Sequence, residues 1–69
     1  MYPYPLTYPI LERYADIRRT LRPLHQDIGD IDTLIAATAL EHDLTLLTID
    51  RDFERVPHLN WQLVQLKAA

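Results

Sequence analysis

The chain has 69 residues, of which 48% are hydrophobic and 25% are charged, and its formal net charge is −3. This composition is typical of one small globular domain, and the absence of cysteine excludes a disulfide framework and a thiolate zinc site. The acidic balance argues against a broad basic surface for nucleic acid, so any contact with RNA or DNA has to be local or assisted by a metal ion.

The N-terminal segment, residues 1–8, alternates tyrosine and proline and is predicted to be an extended leader. It lacks the features of a secretory signal, and no apolar run approaches the roughly 20 residues needed to cross a bilayer. We therefore expect a cytoplasmic protein with no membrane contact. A domain of this size buries only about 60% of its unfolded surface, so a stabilising partner is also expected.

The first helix is predicted over residues 9–22, with Pro9 in its first turn and Pro23 ending it. Its apolar positions recur at spacings of four, three and four, which is one stripe of a helix. The stripe consists of Ile10, Tyr14, Ile17 and Leu21.

The second helix follows Gly29, and Asp30 is the predicted cap because its carboxylate can accept orphan backbone N–H groups. Apolar residues surround most of this helix, which predicts a central helix packed on several sides. One stripe contains Ile31, Leu34, Ile35 and Thr38, and the remainder contains Ala36, Ala37, Ala39 and Leu40.

Residues 44–49, LTLLTI, predict a strand of a sheet covered on both faces. Residues 50–52 turn the chain, residues 53–56 are predicted to form a short helical turn, and residues 61–66 are predicted to form a more exposed edge strand. The sequence therefore predicts an α/β fold.

Helix and strand lengths predict that Asp32 and Asp50 flank one crevice. The helix advances about 15 Å from Asp32 to His42, and the strand recovers about 13 Å. The crevice lies at the carboxyl end of a strand, where α/β sheets place their ligands, and two carboxylates there can bind Mg²⁺ or Mn²⁺. Such a metal site predicts hydrolysis of a phosphodiester.

Each of these residues also has an ordinary structural explanation. Asp32 is favourable in the first turn of a helix because of the helix dipole, and Asp50 and Asp52 are common in turns. Thr48 is a normal strand residue, and the two groups of arginines, in residues 13–22 and at positions 51 and 55, are typical of solvated surfaces. The three histidines share no metal-ligand spacing. With no serine, cysteine or glycine-rich loop, other catalytic chemistries find no support.

In order and spacing, several segments between about Ile10 and Trp61 resemble the C-terminal part of a PIN domain, in particular the VapC-type toxins of type II toxin–antitoxin systems. The matching pieces are Tyr14-Ala15-Asp16-Ile17-Arg18 with Leu21, Ile28-Gly29 with Asp32 and Leu34-Ile35-Ala36-Ala37, Leu44-Thr45-Leu46-Leu47-Thr48, Asp50, Asp52-Phe53, and Arg55-Val56-Pro57 with Leu59.

The resemblance implies an α/β/α sandwich with a parallel sheet and a Mg²⁺- or Mn²⁺-dependent endoribonuclease activity. By position, Asp32 resembles the family's third acid and Asp50 the fourth, so both are expected metal ligands. Thr48 matches a hydroxyl residue that supports the site. We therefore take Asp32, Asp50 and Thr48 as the candidate catalytic residues.

The sequence departs from the family at two acids. No stretch resembles the family's first strand, which ends in an acid, and Glu12 lies too close to Tyr14 to be the family's helix glutamate. Residues 9–69 are thus expected to be the C-terminal part of a PIN domain whose N-terminal strand and helices are missing.

Three functions remain open at this point. The first is a VapC-like nuclease fragment that hydrolyses RNA when an N-terminal PIN fragment completes it. The second is an inactive truncated PIN module that only binds a VapB-like antitoxin or another PIN protomer, and the third is a pseudogene product with no selected role. A homo-oligomer is an expected assembly in the first two cases.

Overall fold

Two helices followed by a short parallel sheet form residues 5–65, the part of the chain that this computed structural model describes. The elements are α1 (Tyr8–Leu21), a 3₁₀ helix (Arg22–Leu24), α2 (Asp30–Glu41), β1 (Leu46–Thr48), a second 3₁₀ helix (Arg51–Arg55) and β2 (Trp61–Leu63). The predicted α/β class with a parallel sheet is therefore confirmed.

Helix α1 lies within one residue of its predicted bounds. Pro9 is in the first turn, where a missing backbone N–H removes no intrahelical hydrogen bond. At the other end, Pro23 lies in the first 3₁₀ helix, so the α-helix stops before it. Of the predicted leader, residues 1–4 lie outside the described residues, and residues 5–7 adopt neither helix nor strand.

Both helical segments end in the same motif, although neither uses glycine. His25 and Asp43 each adopt a left-handed conformation, with φ of 56° and 53°. The backbone N–H of Gln26 then donates to the Leu21 carbonyl at 3.0 Å, and that of Leu44 donates to the Ala39 carbonyl at 2.8 Å. These bonds satisfy carbonyls that a helix end leaves without partners.

The predicted cap of α2 is wrong by one residue. Gly29 is the N-cap and offers no side-chain hydrogen bond, and Asp30 is the first helical residue. The carboxylate of Asp30 faces α1 instead, where it accepts a hydrogen bond from the Tyr14 hydroxyl at 3.2 Å and pairs with Arg18. A tertiary ion pair has replaced the local cap.

The two helices run antiparallel. Arg18, late in α1, pairs with Asp30 at the start of α2, and Arg13, early in α1, pairs with Glu41 at the end of α2 at 3.1 Å. Between these pairs the helices contribute to a single buried cluster, which the segment around the second 3₁₀ helix completes. Its members are Ile10, Ile17, Leu21, Ile28, Ala36, Ala37, Ala39, Phe53, Val56 and Leu59.

The middle of helix α2 is buried on several sides, as predicted, whereas Asp30 and Ile31 at its start are exposed. Its buried residues are Thr33, Ala36, Ala37, Thr38 and Ala39, and because four of them are consecutive in a helix of about 3.6 residues per turn, they face in several directions. Ile31, which the sequence places in the apolar stripe, is 70% exposed. No element of residues 5–65 packs over this part of α2, so the apolar character of the helix exceeds the burial that these residues provide.

Strands β1 and β2 pair in parallel, with Leu46 opposite Trp61 and Thr48 opposite Leu63. Each strand has three residues, shorter than the predicted 44–49 and 61–66, and Leu66 lies outside the described residues. The chain between the strands forms the second 3₁₀ helix, two residues earlier than the predicted helical turn.

Only one face of the sheet is covered by residues 5–65, so the prediction of a strand buried on both faces is wrong for the described chain. Leu46 and Trp61 pack against the buried cluster. Leu47 and Ile49, on the opposite face, are 62% and 65% exposed. Parallel sheets are almost always covered on both faces, so this arrangement leaves an apolar surface unsatisfied. No helix within residues 5–65 is long and apolar enough to cross a membrane.

The packing of α1 is tested by removing one buried side chain. Leu21 is 1% exposed, and its replacement by alanine is expected to lower the free energy of unfolding by about 2–5 kcal/mol, because a cavity is left. Leu24→Ala, only three residues later but at an exposed position, is the matched control and is expected to change stability by less than about 0.5 kcal/mol. Urea unfolding followed by circular dichroism measures both, and equal effects would contradict the burial of α1.

Candidate metal centre

Two local hydrogen bonds position Asp50 after the carboxyl end of β1. Thr48 is the last residue of β1, and its hydroxyl accepts the backbone N–H of Asp50 at 3.0 Å. One carboxylate oxygen of Asp50 accepts the backbone N–H of Asp52 at 2.9 Å, which makes Asp50 the N-cap of the second 3₁₀ helix. The side chain of Asp50 is thus held in one orientation by its own turn.

Asp32 lies in the first turn of α2, where the helix dipole and free backbone N–H groups favour a carboxylate. The neighbouring acid in that turn, Asp30, is exposed and pairs with Arg18. Asp32 is half-buried, and no arginine or histidine of residues 5–65 pairs with it. The two acids of one helical turn therefore have different surroundings, and only Asp30 is neutralised.

A survey of all ten acids separates Asp32 and Asp50 from the others. Five of them form ion pairs with arginines, namely Asp16, Asp27, Asp30, Glu41 and Asp52. Three more have no ion pair within residues 5–65 but are exposed to solvent, namely Glu12, Asp43 and Glu54. Within that part of the chain, only Asp32 and Asp50 are both half-buried and without a cation. These two carboxylates are therefore the half-buried acids that no cation of the described chain neutralises.

The structure brings the Thr48 hydroxyl into contact with the backbone N–H of Asp50. No hydrogen bond within residues 5–65 joins either residue to Asp32. The elements that carry Asp32 and Asp50 nevertheless contribute to one core. The buried cluster contains Ile28, just before α2, and Phe53 of the second 3₁₀ helix. The convergence of Asp32 and Asp50 on one crevice stays a prediction.

The donor set fits a hard divalent cation as part of its coordination shell. Mg²⁺ and Mn²⁺ prefer oxygen ligands, and Mg²⁺ is commonly held by only one or two protein carboxylates, with water and substrate completing the shell. Asp32 and Asp50 offer two such carboxylates. Residues 5–65 contain no group of three or more histidines, cysteines or acids that could enclose a metal.

An arginine network that sequence reasoning did not find holds the start of α2. The side chain of Arg18 pairs with Asp30, lies 3.9 Å from Asp27 and stacks 5.2 Å from the centre of the Tyr14 ring. Arg22 adds a second pair to Asp27 at 3.5 Å. The helical spacing of four residues from Tyr14 to Arg18 was the available signal. This network anchors the turn that carries Asp32.

The local role of Asp50 can be separated from metal binding by two substitutions. Asn and Asp are equally good N-caps, so Asp50→Asn is expected to preserve stability, whereas Asp50→Ala is expected to cost about 0.5–2 kcal/mol. Thermal unfolding measures both variants. Equal stability of the two would show that the hydrogen bond from Asp52 contributes nothing, and a large loss in Asp50→Asn would show that the negative charge itself stabilises the fold.

One family model, described as the PIN domain, matches residues 2–59. No curated protein and no solved structure shows significant similarity to the chain. PIN domains are a family of nucleases that generally depend on divalent metal ions, which agrees with the chemistry of two half-buried carboxylates. Because a single family model accounts for most of the 69 residues, the chain belongs to the PIN domain family.

Proposed function

We propose that the chain carries the metal-binding half of a VapC-like endoribonuclease, which hydrolyses RNA phosphodiester bonds with Mg²⁺ or Mn²⁺. The observation that carries this proposal is the pattern of ion pairs among the acids. In the described part of the chain, Asp32 and Asp50 alone are half-buried without a cation. These are the two acids that correspond by position to metal ligands of the family.

Each candidate residue has a distinct role in this proposal. Asp32 and Asp50 hold the cation, and Thr48 acts as a positioning residue because its hydroxyl fixes the backbone of Asp50. The hydrogen bond from Asp52 occupies one oxygen of the Asp50 carboxylate, which leaves the other available as a ligand. The chemistry that the cation supplies when bound is activation of water and neutralisation of charge on the phosphate.

The active species is proposed to include a second polypeptide segment. The family's strand acid and helix glutamate have no counterpart in this sequence, and two carboxylates leave most of the metal shell to other ligands. The exposed face of β1 offers a surface on which such a segment can add apolar contacts, since Leu47 and Ile49 are unburied there. An N-terminal PIN fragment that carries the two acids is the proposed complement.

The metal-binding role is tested with Asp32→Asn and Asp50→Asn, which keep the shape of the side chain and remove its charge. Loss of a residue that only hydrogen-bonds a metal ligand lowers metal affinity by roughly 10- to 100-fold. Loss of a ligand itself, as in each of these variants, is expected to reduce Mn²⁺ affinity by more than that. Calorimetric titration of the chain measures binding. RNA cleavage, assayed after addition of an N-terminal PIN fragment, is expected to fall in parallel.

Asp43→Asn is the matched control for both variants. Asp43 is an exposed acid with a positive φ of 53°, a conformation that asparagine adopts readily. It is expected to bind Mn²⁺ and to support cleavage as the unchanged chain does. If the unchanged chain neither bound Mn²⁺ nor supported cleavage when complemented, the nuclease proposal would be abandoned.

A catalytically inactive binding module is the second candidate, and one specific observation favours it. The uncovered sheet face carries Leu47 of β1, with Gln62 of β2 opposite it, and the exposed residues Ile49 and Val64 follow directly after the two strands. An apolar surface of this kind is typical of a protein interface. In this alternative the face binds a VapB-like antitoxin or a second PIN protomer, and the two acids have no role.

The contribution of this face to association is tested with Leu47→Lys. A charge in the centre of the apolar surface is expected to weaken self-association or antitoxin binding, because the lysine has to be desolvated in the complex. Leu11→Lys changes an exposed leucine on α1 and serves as the control. Sedimentation velocity measures the assembled fraction, and equal behaviour of both variants would exclude this face as the interface.

A further inference from the structure

Most arginines of the described chain, like half of its acids, form ion pairs. Five of the six form ion pairs with carboxylates, namely Arg13, Arg18, Arg19, Arg22 and Arg55. Arg51 has no acidic partner within residues 5–65, and its side chain is exposed. It immediately follows Asp50, so the one unpaired arginine of this region adjoins the candidate metal centre.

The isolation of Arg51 is not caused by a shortage of nearby acids. Asp50 and Asp52 flank it in sequence, yet Asp52 pairs with Arg55 at 3.5 Å and Asp50 accepts the backbone N–H of Asp52. Glu54 stands three residues later, the same spacing as the Asp52–Arg55 pair, and does not pair with Arg51. The local hydrogen bonds and ion pairs engage both flanking acids elsewhere and leave the guanidinium of Arg51 available.

We propose that Arg51 is a phosphate-binding residue for the RNA strand, placed beside the scissile position by the turn that fixes Asp50. This inference rests on the proposed nuclease function and adds to it the residue that holds the substrate backbone. A guanidinium donates two parallel hydrogen bonds to phosphate oxygens. Such bonds would orient the substrate at a metal site that has few protein ligands and is otherwise filled by water.

The negative net charge of the chain makes a local cation at the site necessary for RNA binding. A chain with a formal charge of −3 cannot attract RNA over a broad surface. A single unpaired arginine beside the metal ligands supplies a local attraction at the place where the strand has to lie. Each of the remaining described arginines pairs with a carboxylate of the chain.

The test compares Arg51→Gln with Arg19→Gln in the full 69-residue chain. Both variants change the net charge by one unit, and both positions are exposed, but Arg19 pairs with Asp16 on α1. Binding to a fluorescent single-stranded RNA oligonucleotide is titrated by anisotropy at several salt concentrations, without divalent cation, so that the strand stays intact. Thermal unfolding verifies that each variant remains folded.

Loss of one phosphate contact is expected to make the slope of log K against log salt shallower by about 0.7. Arg51→Gln is expected to show this change and a lower affinity, Arg51→Lys to recover the slope because it keeps the charge, and Arg19→Gln to match the unchanged chain. An unaltered slope in Arg51→Gln, an equal change in Arg19→Gln, or no binding by the unchanged chain would overturn the proposal.

The outcome is independent of the cleavage test. A changed slope in Arg51→Gln without any metal-dependent cleavage would leave the phosphate contact standing and remove the nuclease function. Cleavage that requires Asp32 and Asp50, together with an unchanged slope, would remove only the role of Arg51.

Discussion

The guanidinium of Arg18 lies where the end of α1 meets the start of α2, and it contacts Tyr14, Asp27 and Asp30 together. Only 17% of this side chain is exposed. A cation buried to this degree is tolerated only when it is paired, so removal of its carboxylate partners from the packed helices would leave an uncompensated charge. The position of the first turn of α2, and with it Asp32, depends on this contact.

Charge pairing organises the rest of the described chain in a similar way. Arginine–carboxylate pairs connect the helices at both ends and stabilise the turn after β1. Asp32, Asp50 and Arg51 stand outside this pattern. Exposed ion pairs of this kind contribute little stability individually, yet the pairing shows which charges are committed to structure. Under the proposed function, the half-buried carboxylates of Asp32 and Asp50 and the guanidinium of Arg51 are the charges that bind external ligands.

The sheet connects stability with function. Its inner face, through Leu46 and Trp61, completes the buried cluster, while Leu47 and Ile49 extend the same strand outward without cover. Burial of such side chains is worth about 1.5–3 kcal/mol each, which is a large gain for a domain of this size. A polypeptide that covers this face would stabilise the fold. Under the nuclease proposal, the same polypeptide would bring further acids to the metal site.

Periodicity in the sequence was sufficient for the first helix, and β-prone composition located the strands. The spacing of Ile10, Ile17 and Leu21 identified the buried face of α1, and these residues are buried in the structure. Strand composition identified β1 and β2 but overestimated their length. The residues at which strand pairing stops depend on the partner strand and not on β-propensity. For the site, helix and strand lengths pointed to Asp50, and the resemblance to PIN domains added Thr48, whose contact with Asp50 lies within three residues of chain.

The sequence by itself determined the elements and the local turn chemistry, because these depend on side chains a few residues apart. Tertiary structure decided the rest. Asp30 was expected to cap α2 but pairs with Arg18, twelve residues earlier in the chain, and Ile31 was expected to be buried but has no neighbour to cover it. Whether a charge is paired depends on which elements meet, so only the folded chain distinguishes Asp32 from Asp30 and Arg51 from the other arginines.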